Sequence, residues 1–324
     1  MSNPGGNIDL PGLADVQQAQ DRIRALVRNT PVLNDPGLDS ELGCALYCKC
    51  EHLQRAGAFK FRGASNAIAR LRETDRPGDV ATHSSGNHGA ALALAASLDG
   101  RKAHVVMPDN ASAIKIEAVK RYGGEIHFCA PTQAEREAGL DRLVEAGYTP
   151  IPPYDHFDII AGQGTAALEL LESHPGLEVL AAPVGGGGLV AGTAVVAAAH
   201  GIPVFAAEPA GAADTAASME RGRRVESWPS DTIADGLRAL VGERNFVLIQ
   251  NHVQQVLTVT ETQIRMAMQL FWRHTRMLIE PSSAVVIAAI ASHPELFAGK
   301  STGAVITGAN IEPADWVSLT RGGR

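Results

Sequence analysis

The sequence predicts a two-lobed α/β protein built on doubly wound, mostly parallel sheets, and three observations carry that expectation. At 324 residues the chain exceeds what one minimal core needs and suits two lobes sharing a cleft. Short apolar runs of strand length alternate with helix-length segments, which is the signature of strand–helix–strand units. Several runs, above all LEVLAAPV (177–184) and IPVFAAEP (202–209), are nearly continuous in apolar residues, as parallel strands covered on both faces are. In such sheets ligands bind where strand C-termini meet helix N-termini.

The elements follow in order. Apolar residues recur at helical spacing from 13 to 27 (Leu13, Val16, Ile23, Leu26, Val27), and NTPVLNDP (29–36) ends the pattern with two prolines. ALYCKCEHL (45–53) alternates like a strand. The following AGAFKFRGASNAIARL (56–71) opens on a turn glycine and continues at helical period, which puts Lys60 near a helix N-terminus. Three strand–loop–helix units come next, at 79–98, 102–123 and 125–147. Residues 177–201 and 202–209 repeat the theme; 253–275 gives a strand and a helix capped by Thr260, and GAVITGANIEP (303–313) a last strand. The reading divides the chain into a large domain of residues 1–77 and 152–324 and a small domain of 78–151.

Composition excludes several classes. A formal charge of -7 with no basic run argues against nucleic acid or an anionic membrane as partner. The N-terminal MSNPGGNIDLPG lacks the features of a secretory leader, and no uncharged apolar run approaches the roughly 18 residues of a membrane span, so the cytoplasm is expected. Cys44, Cys48, Cys50 and Cys129 match no zinc-finger spacing and read as reduced thiols.

Two loops attract attention as ligand sites. SSGNHG (84–89) offers hydroxyls, an amide, an imidazole and backbone N–H groups at a helix start, a ready anion site. VGGGGLVAG (184–192) removes four side chains in a row, so that an anion can reach the backbone closely. The second loop also reads as a dinucleotide fingerprint, with Gly186, Gly188 and Ala191 in Gly-x-Gly-x-x-Ala spacing and Glu208 about 20 residues on. That alternative leaves Lys60 and SSGNHG without a task.

Eight segments in this order resemble one family: GAFKFRGASNAI (57–68), THSSGNHGAAL (82–92), IIAGQGTAALEL (159–170), VGGGGLVAG, AAEP (206–209), TIADGL (232–237), LIEPSSA (278–284) and ITGAN (306–310). They are similar to pyridoxal phosphate enzymes of the serine/threonine dehydratase type, of the tryptophan synthase β-like architecture called fold type II, with serine racemase and 3-hydroxyaspartate dehydratases nearest. The resemblance covers nearly the whole chain. It implies that Lys60, preceded by Phe59 at the cofactor, carries pyridoxal 5'-phosphate as a Schiff base. It further implies that Gly185, Gly186, Gly187, Gly188 and Leu189 hold the phosphate, that Asn87 meets the ring hydroxyl, and that Thr307 faces the ring nitrogen.

By the same resemblance Ser84, Ser85, Asn87 and His88 hold the substrate carboxylate, and Ser85 can serve as a second acid/base on the face of Cα opposite Lys60. Arg136 matches an arginine near bound dicarboxylate and can recognise a second carboxylate, or stand as an exposed helix arginine. Glu208, Asp214 and the carbonyl of Ala212 match a divalent-metal site suited to Mg²⁺, Ca²⁺ or Mn²⁺; their plain reading is an acidic strand end and a helix cap. Departures from the family pattern are Ala58, Ala90, Thr307 and Ala309. The implied activity is elimination of water from a small β-hydroxy amino acid such as serine, threonine or 3-hydroxyaspartate, giving an oxo acid and ammonia. Amino-acid racemisation is the alternative within the family, and an NAD-binding or non-catalytic α/β protein the alternative outside it. A homodimer is expected.

Overall fold

The structure is a computed structural model that describes residues 8–84 and 86–321. Its strands are β1 (Val32–Leu33), β2 (Ala45–Lys49), β3 (Val80–His83), β4 (Ala103–Pro108), β5 (Glu125–Cys129), β6 (Thr149–Pro150), β7 (Val179–Pro183), β8 (Val204–Pro209), β9 (Val253–Val259) and β10 (Ser301–Val305). They form a six-stranded sheet ordered β1-β2-β10-β7-β8-β9 and a four-stranded sheet ordered β5-β4-β3-β6. Every pairing is parallel except β1 with β2.

The larger sheet is covered on both faces, which explains its continuous apolar strands. Val179 and Ala181 of β7, with Phe205 and Ala207 of β8, point into a core shared with helices Glu261–Thr275 and Pro281–Ser292. The intervening Leu180, Ala182, Val204 and Ala206 enter the opposite core, under helices Phe157–Ser173 and Gly188–Ala199. Period-two alternation thus feeds two cores at once, and each full-sized aliphatic side chain buried in them contributes roughly 1.5–3 kcal/mol.

Helix Phe157–Ser173 is the organising element. Its Gly162 meets Gly63 of helix Lys60–Glu73 so closely that a Cβ there would lie 2.7 Å from the Gly63 Cα. Two residues on, Gly164 meets Gly192, where an added Cβ would lie 2.6 Å from the Gly164 amide nitrogen. One helix therefore clamps, by backbone contact, both the helix that begins at Lys60 and the helix that follows the glycine loop.

Helix Lys60–Glu73 also carries a buried charge cluster. The Arg62 guanidinium donates to Glu51, Glu169 and Thr165, and Lys49 pairs with Glu169 at 2.7 Å. Burial opposes charge on Arg62, and the carboxylates of Glu51 and Glu169 outweigh it and hold the guanidinium protonated. The boundaries depart modestly from expectation. The first helix stops at Ile23, and β2 ends at Lys49, where one-turn helices (Glu51–Leu53, Arg55–Gly57) lead into Lys60. Helix Pro281–Ser292 is buried nearly all round, so its sequence carries no amphipathic period.

Candidate active site

One cavity lies between the C-terminal ends of the two sheets. Phe59, Lys60, Ser84, Asn87, His88, Arg136, Gly185, Gly186, Gly187, Gly188, Leu189 and Thr307 all line it. Ser85 lies outside the described residues. Glu208, Ala212 and Asp214 stand apart from the cavity, at the end of β8 and the helix that follows it.

Lys60 is the first residue of its helix, and the chain just before it is bound to the loop after β10. Phe59 N donates to Thr307 O and Ala309 N to Gly57 O, and Ala58 bridges Gly308. Gly57 has φ +71, and a Cβ on it would lie 2.4 Å from Asn310 Oδ1, so glycine is required on both counts. Among the described residues the Lys60 amine has no carboxylate partner; it donates to Pro153 O at 2.7 Å and lies 5.1 Å from the centre of the Phe59 ring. Burial pushes its pKa down to about 8.

Each glycine of the 185–188 loop has a steric reason. A Cβ on Gly185 would meet Leu237 Cα at 2.7 Å, one on Gly186 the Tyr154 ring at 2.3 Å, and one on Gly187, at φ +93, Asn245 Cβ at 2.8 Å. The Gly186 carbonyl is tied back by Asn245 Nδ2 at 2.6 Å and by Gly242 N at 3.1 Å. Among the described residues, none accepts a hydrogen bond from the amides of Gly185, Gly186, Gly187, Gly188 or Leu189. Five free N–H groups at the start of a twelve-residue helix suit an anion such as a phosphate ester.

Asn87 is held at both ends: Nδ2 donates to Glu280 Oε1 at 2.8 Å, and Oδ1 accepts from Asn310 Nδ2 at 2.9 Å. Glu280 also accepts from Asn310 N at 3.2 Å, and burial pushes its carboxyl up to about 7 against the pull of Lys115. Ser84 Oγ accepts from the amides of Gly86 and Gly89, at 3.1 and 3.0 Å, and so fixes the turn. His88 donates from Nε2 to Ile151 O at 3.1 Å, and its Nδ1 is buried without a partner among the described residues. Burial and the nearby Lys60 charge lower it to about 3, so the ring is neutral at physiological pH. Thr307 Oγ1 lies 2.8 Å from Ser283 Oγ, which also donates to Gly308 O. Arg136 donates through Nη2 to Gln133, while its Nε is buried without a partner among the described residues.

Sequence reasoning assigned no role to Glu280, Asn310, Asp235, Lys115 or Tyr154, although three of them sit inside the quoted motifs LIEPSSA, ITGAN and TIADGL. Lys115, on the small-sheet side, pairs with Asp235 on the other and joins the two walls of the cavity. The dinucleotide reading loses its acidic residue. Glu208 lies outside the cavity that the glycine loop lines, and each of its oxygens accepts one hydrogen bond, from the amides of Thr215 and Ala216 at 3.0 Å, at the start of helix Asp214–Arg221. Burial and the neighbouring Asp214 raise Glu208 to about 8, and burial raises Asp214 to about 6.

The comparisons with known proteins agree with this geometry. Residues 23–308 match the family model described as pyridoxal-phosphate dependent enzyme. The chain is 40% identical over 306 residues to the β-hydroxyaspartate dehydratase of Paracoccus denitrificans (strain Pd 1222), covering 94% of this chain and 97% of that protein. It is 38% identical to the L-threo-3-hydroxyaspartate ammonia-lyase of Saccharomyces cerevisiae (strain ATCC 204508 / S288c), covering 97% of each. The crystal structure of serine racemase from Dictyostelium discoideum superimposes with a TM-score of 0.88 at 41% identity, over 93% of this chain and 99% of that one.

Proposed function

The chain belongs to the pyridoxal-phosphate dependent enzyme family, and from that premise we propose that it eliminates water and then ammonia from 3-hydroxyaspartate. One observation carries the choice of substrate. Arg136, in the wall of the same cavity as Lys60, has a buried Nε with no partner among the described residues. A guanidinium so placed suits a second carboxylate, which 3-hydroxyaspartate has and serine and threonine lack. The similarity to 3-hydroxyaspartate lyases supports the same reading.

The residues present fit the cofactor. The five unpartnered amides of Gly185, Gly186, Gly187, Gly188 and Leu189 would hold its phosphate, and Lys60, with Phe59 beside it, is an amine free of any carboxylate. Asn87 would meet the ring hydroxyl, and Thr307 would offer a neutral hydroxyl to the ring nitrogen. When bound, pyridoxal phosphate supplies an electron sink for charge developing at Cα. This chain's residues do the rest. The Ser84–His88 turn, with Asn87 and neighbouring N–H groups, holds the α-carboxylate, and neutral His88 braces the turn against Ile151 O. Lys60, whose pKa is near 8, accepts the Cα proton and returns a proton to the departing β-hydroxyl, which leaves as water.

The division into a large domain of 1–77 and 152–324 and a small domain of 78–151 is supported by the separate sheets. Glu208, Asp214 and the carbonyl of Ala212 would hold a divalent cation, which is part of the same proposal. Two buried carboxylates with raised pKa values, and among the described residues no lysine or arginine paired with either, suit Mg²⁺, Ca²⁺ or Mn²⁺. A cytoplasmic homodimer remains our expectation; no helix among the described residues is long and apolar enough to cross a membrane.

Racemisation is the second reading, supported by the similarity to serine racemases. The experiment is a substrate panel: threo and erythro 3-hydroxyaspartate, serine and threonine, with oxo acid, ammonia and inverted isomer all measured. Oxo acid from one 3-hydroxyaspartate isomer at a kcat/KM at least tenfold above that for serine is expected. In Arg136→Ala that advantage falls away, chiefly through KM. Conversion of L-serine mainly to its D-isomer, or a serine preference unmoved by Arg136→Ala, would contradict the proposal.

A further inference from the structure

At the N-terminal end of the small sheet, away from the cavity, three potential ligands meet. Parallel register pairs His104 of β4 with Glu125 of β5, and His127, two residues on, shares their face. His104 Nδ1 lies 3.1 Å from His127 Nε2 and 3.9 Å from Glu125 Oε1, and Glu125 Oε1 lies 3.8 Å from His127 Nε2. The point in the plane of the three donors that is equidistant from them lies about 2.1 Å from each, the length of a zinc–imidazole or zinc–carboxylate bond.

The surroundings fit a cation. His104 is 4% exposed and stacks against Tyr148 with ring centres 3.9 Å apart, so its orientation is fixed. Its other nitrogen, Nε2, is buried without a hydrogen-bond partner among the described residues and lies 3.8 Å from Asp79 Oδ2. A metal on Nδ1 requires the ring proton on Nε2, facing a carboxylate, which is how metal-binding histidines are commonly oriented. Lys102 approaches Glu125 through the other oxygen, Oε2, at 3.4 Å, which leaves Oε1 free. Burial lowers the pKa of His104, with Glu125 and Asp79 opposing and His127 and Lys102 adding to the effect.

We propose that His104, Glu125 and His127 bind one Zn²⁺, with a fourth position open to water, and that the ion clasps edge strand β5 to β4. Two imidazoles and one carboxylate in this spacing select a transition cation over Mg²⁺ or Ca²⁺, which prefer six or more oxygens. The Glu208–Asp214 pair is all oxygen and does not compete on equal terms.

The test titrates Zn²⁺ against a chromophoric chelator into cofactor-loaded protein kept in excess Mg²⁺, so that oxygen sites are filled. One tight zinc per chain is expected, together with a zinc-dependent rise in Tm. His127→Ala and Glu125→Gln, both at partly exposed positions, weaken binding by tenfold or more and abolish that rise. Asp79→Asn weakens binding by a smaller factor, and all three keep wild-type circular dichroism and the cofactor's visible band. Wild-type protein that takes up no zinc in competition with the chelator, or Glu125→Gln and His127→Ala proteins that bind it as wild type does, would overturn the proposal.

Discussion

Lys60 and Arg62 stand two residues apart in the first turn of one helix, and both are withdrawn from bulk water, yet they have opposite surroundings. Arg62 spends its guanidinium on Glu51, Glu169 and Thr165. Among the described residues Lys60 meets a single backbone carbonyl. The first is a fully paired charge that holds segments together, and the second is an unpaired amine made reactive by burial. What separates structure from chemistry here is the partner list, which neither residue type nor spacing encodes.

The largest effect expected follows from removing the unpaired member. Lys60→Ala lowers turnover of the preferred substrate by about 10³-fold or more and leaves the Tm of the cofactor-free protein unchanged or raised, because no ion pair is lost; a steady-state assay and a thermal melt of cofactor-free protein check both. Removing the paired member reverses the pattern. Arg62→Ala leaves the buried Glu51 and Glu169 facing each other and costs about 3–5 kcal/mol of stability, read by urea denaturation. Whatever Arg62→Ala protein folds retains the cofactor's visible band, since Arg62 does not line the cavity.

Gly162→Ala sharpens the comparison by shifting the helix that carries both residues. The new methyl meets the Gly63 backbone and costs about 1–3 kcal/mol by overpacking, with a loss of activity larger than in a surface control such as Glu145→Ala. The smallest effect is in pH. With its pKa near 8, Lys60 is mostly charged at pH 7 and mostly neutral at pH 9, and only the neutral amine is a nucleophile. Cofactor-free protein should therefore regain the visible band about tenfold faster at pH 9 than at pH 7 and level off above it, whereas a lysine with the ordinary value of about 10.4 would still be accelerating.

Much of this was legible in the sequence, for physical reasons particular to each part. The strands of residues 179–183 and 204–209 announce themselves because both faces are buried, and the glycine run because each missing side chain has a collision it avoids. Glu280, Asn310, Asp235 and Lys115 were not legible. Their partners are remote in the chain, Asn87 lying 193 residues from Glu280 and Lys115 lying 120 from Asp235. The His104–Glu125–His127 group was hidden likewise, because strand register, not sequence spacing, brings it together. The role of IIAGQGTAALEL appears only when Gly162 and Gly164 are seen against Gly63 and Gly192.

The central claim is that the unpaired amine of Lys60 carries the cofactor. Borohydride reduction of the coloured holoprotein, followed by proteolysis and mass spectrometry, tests it at one atom. The account predicts that the added mass of reduced pyridoxal phosphate maps to Lys60 alone, with loss of the visible band and of activity in step. The added mass on Lys49, Lys115 or any other lysine, with Lys60 unmodified, would contradict it.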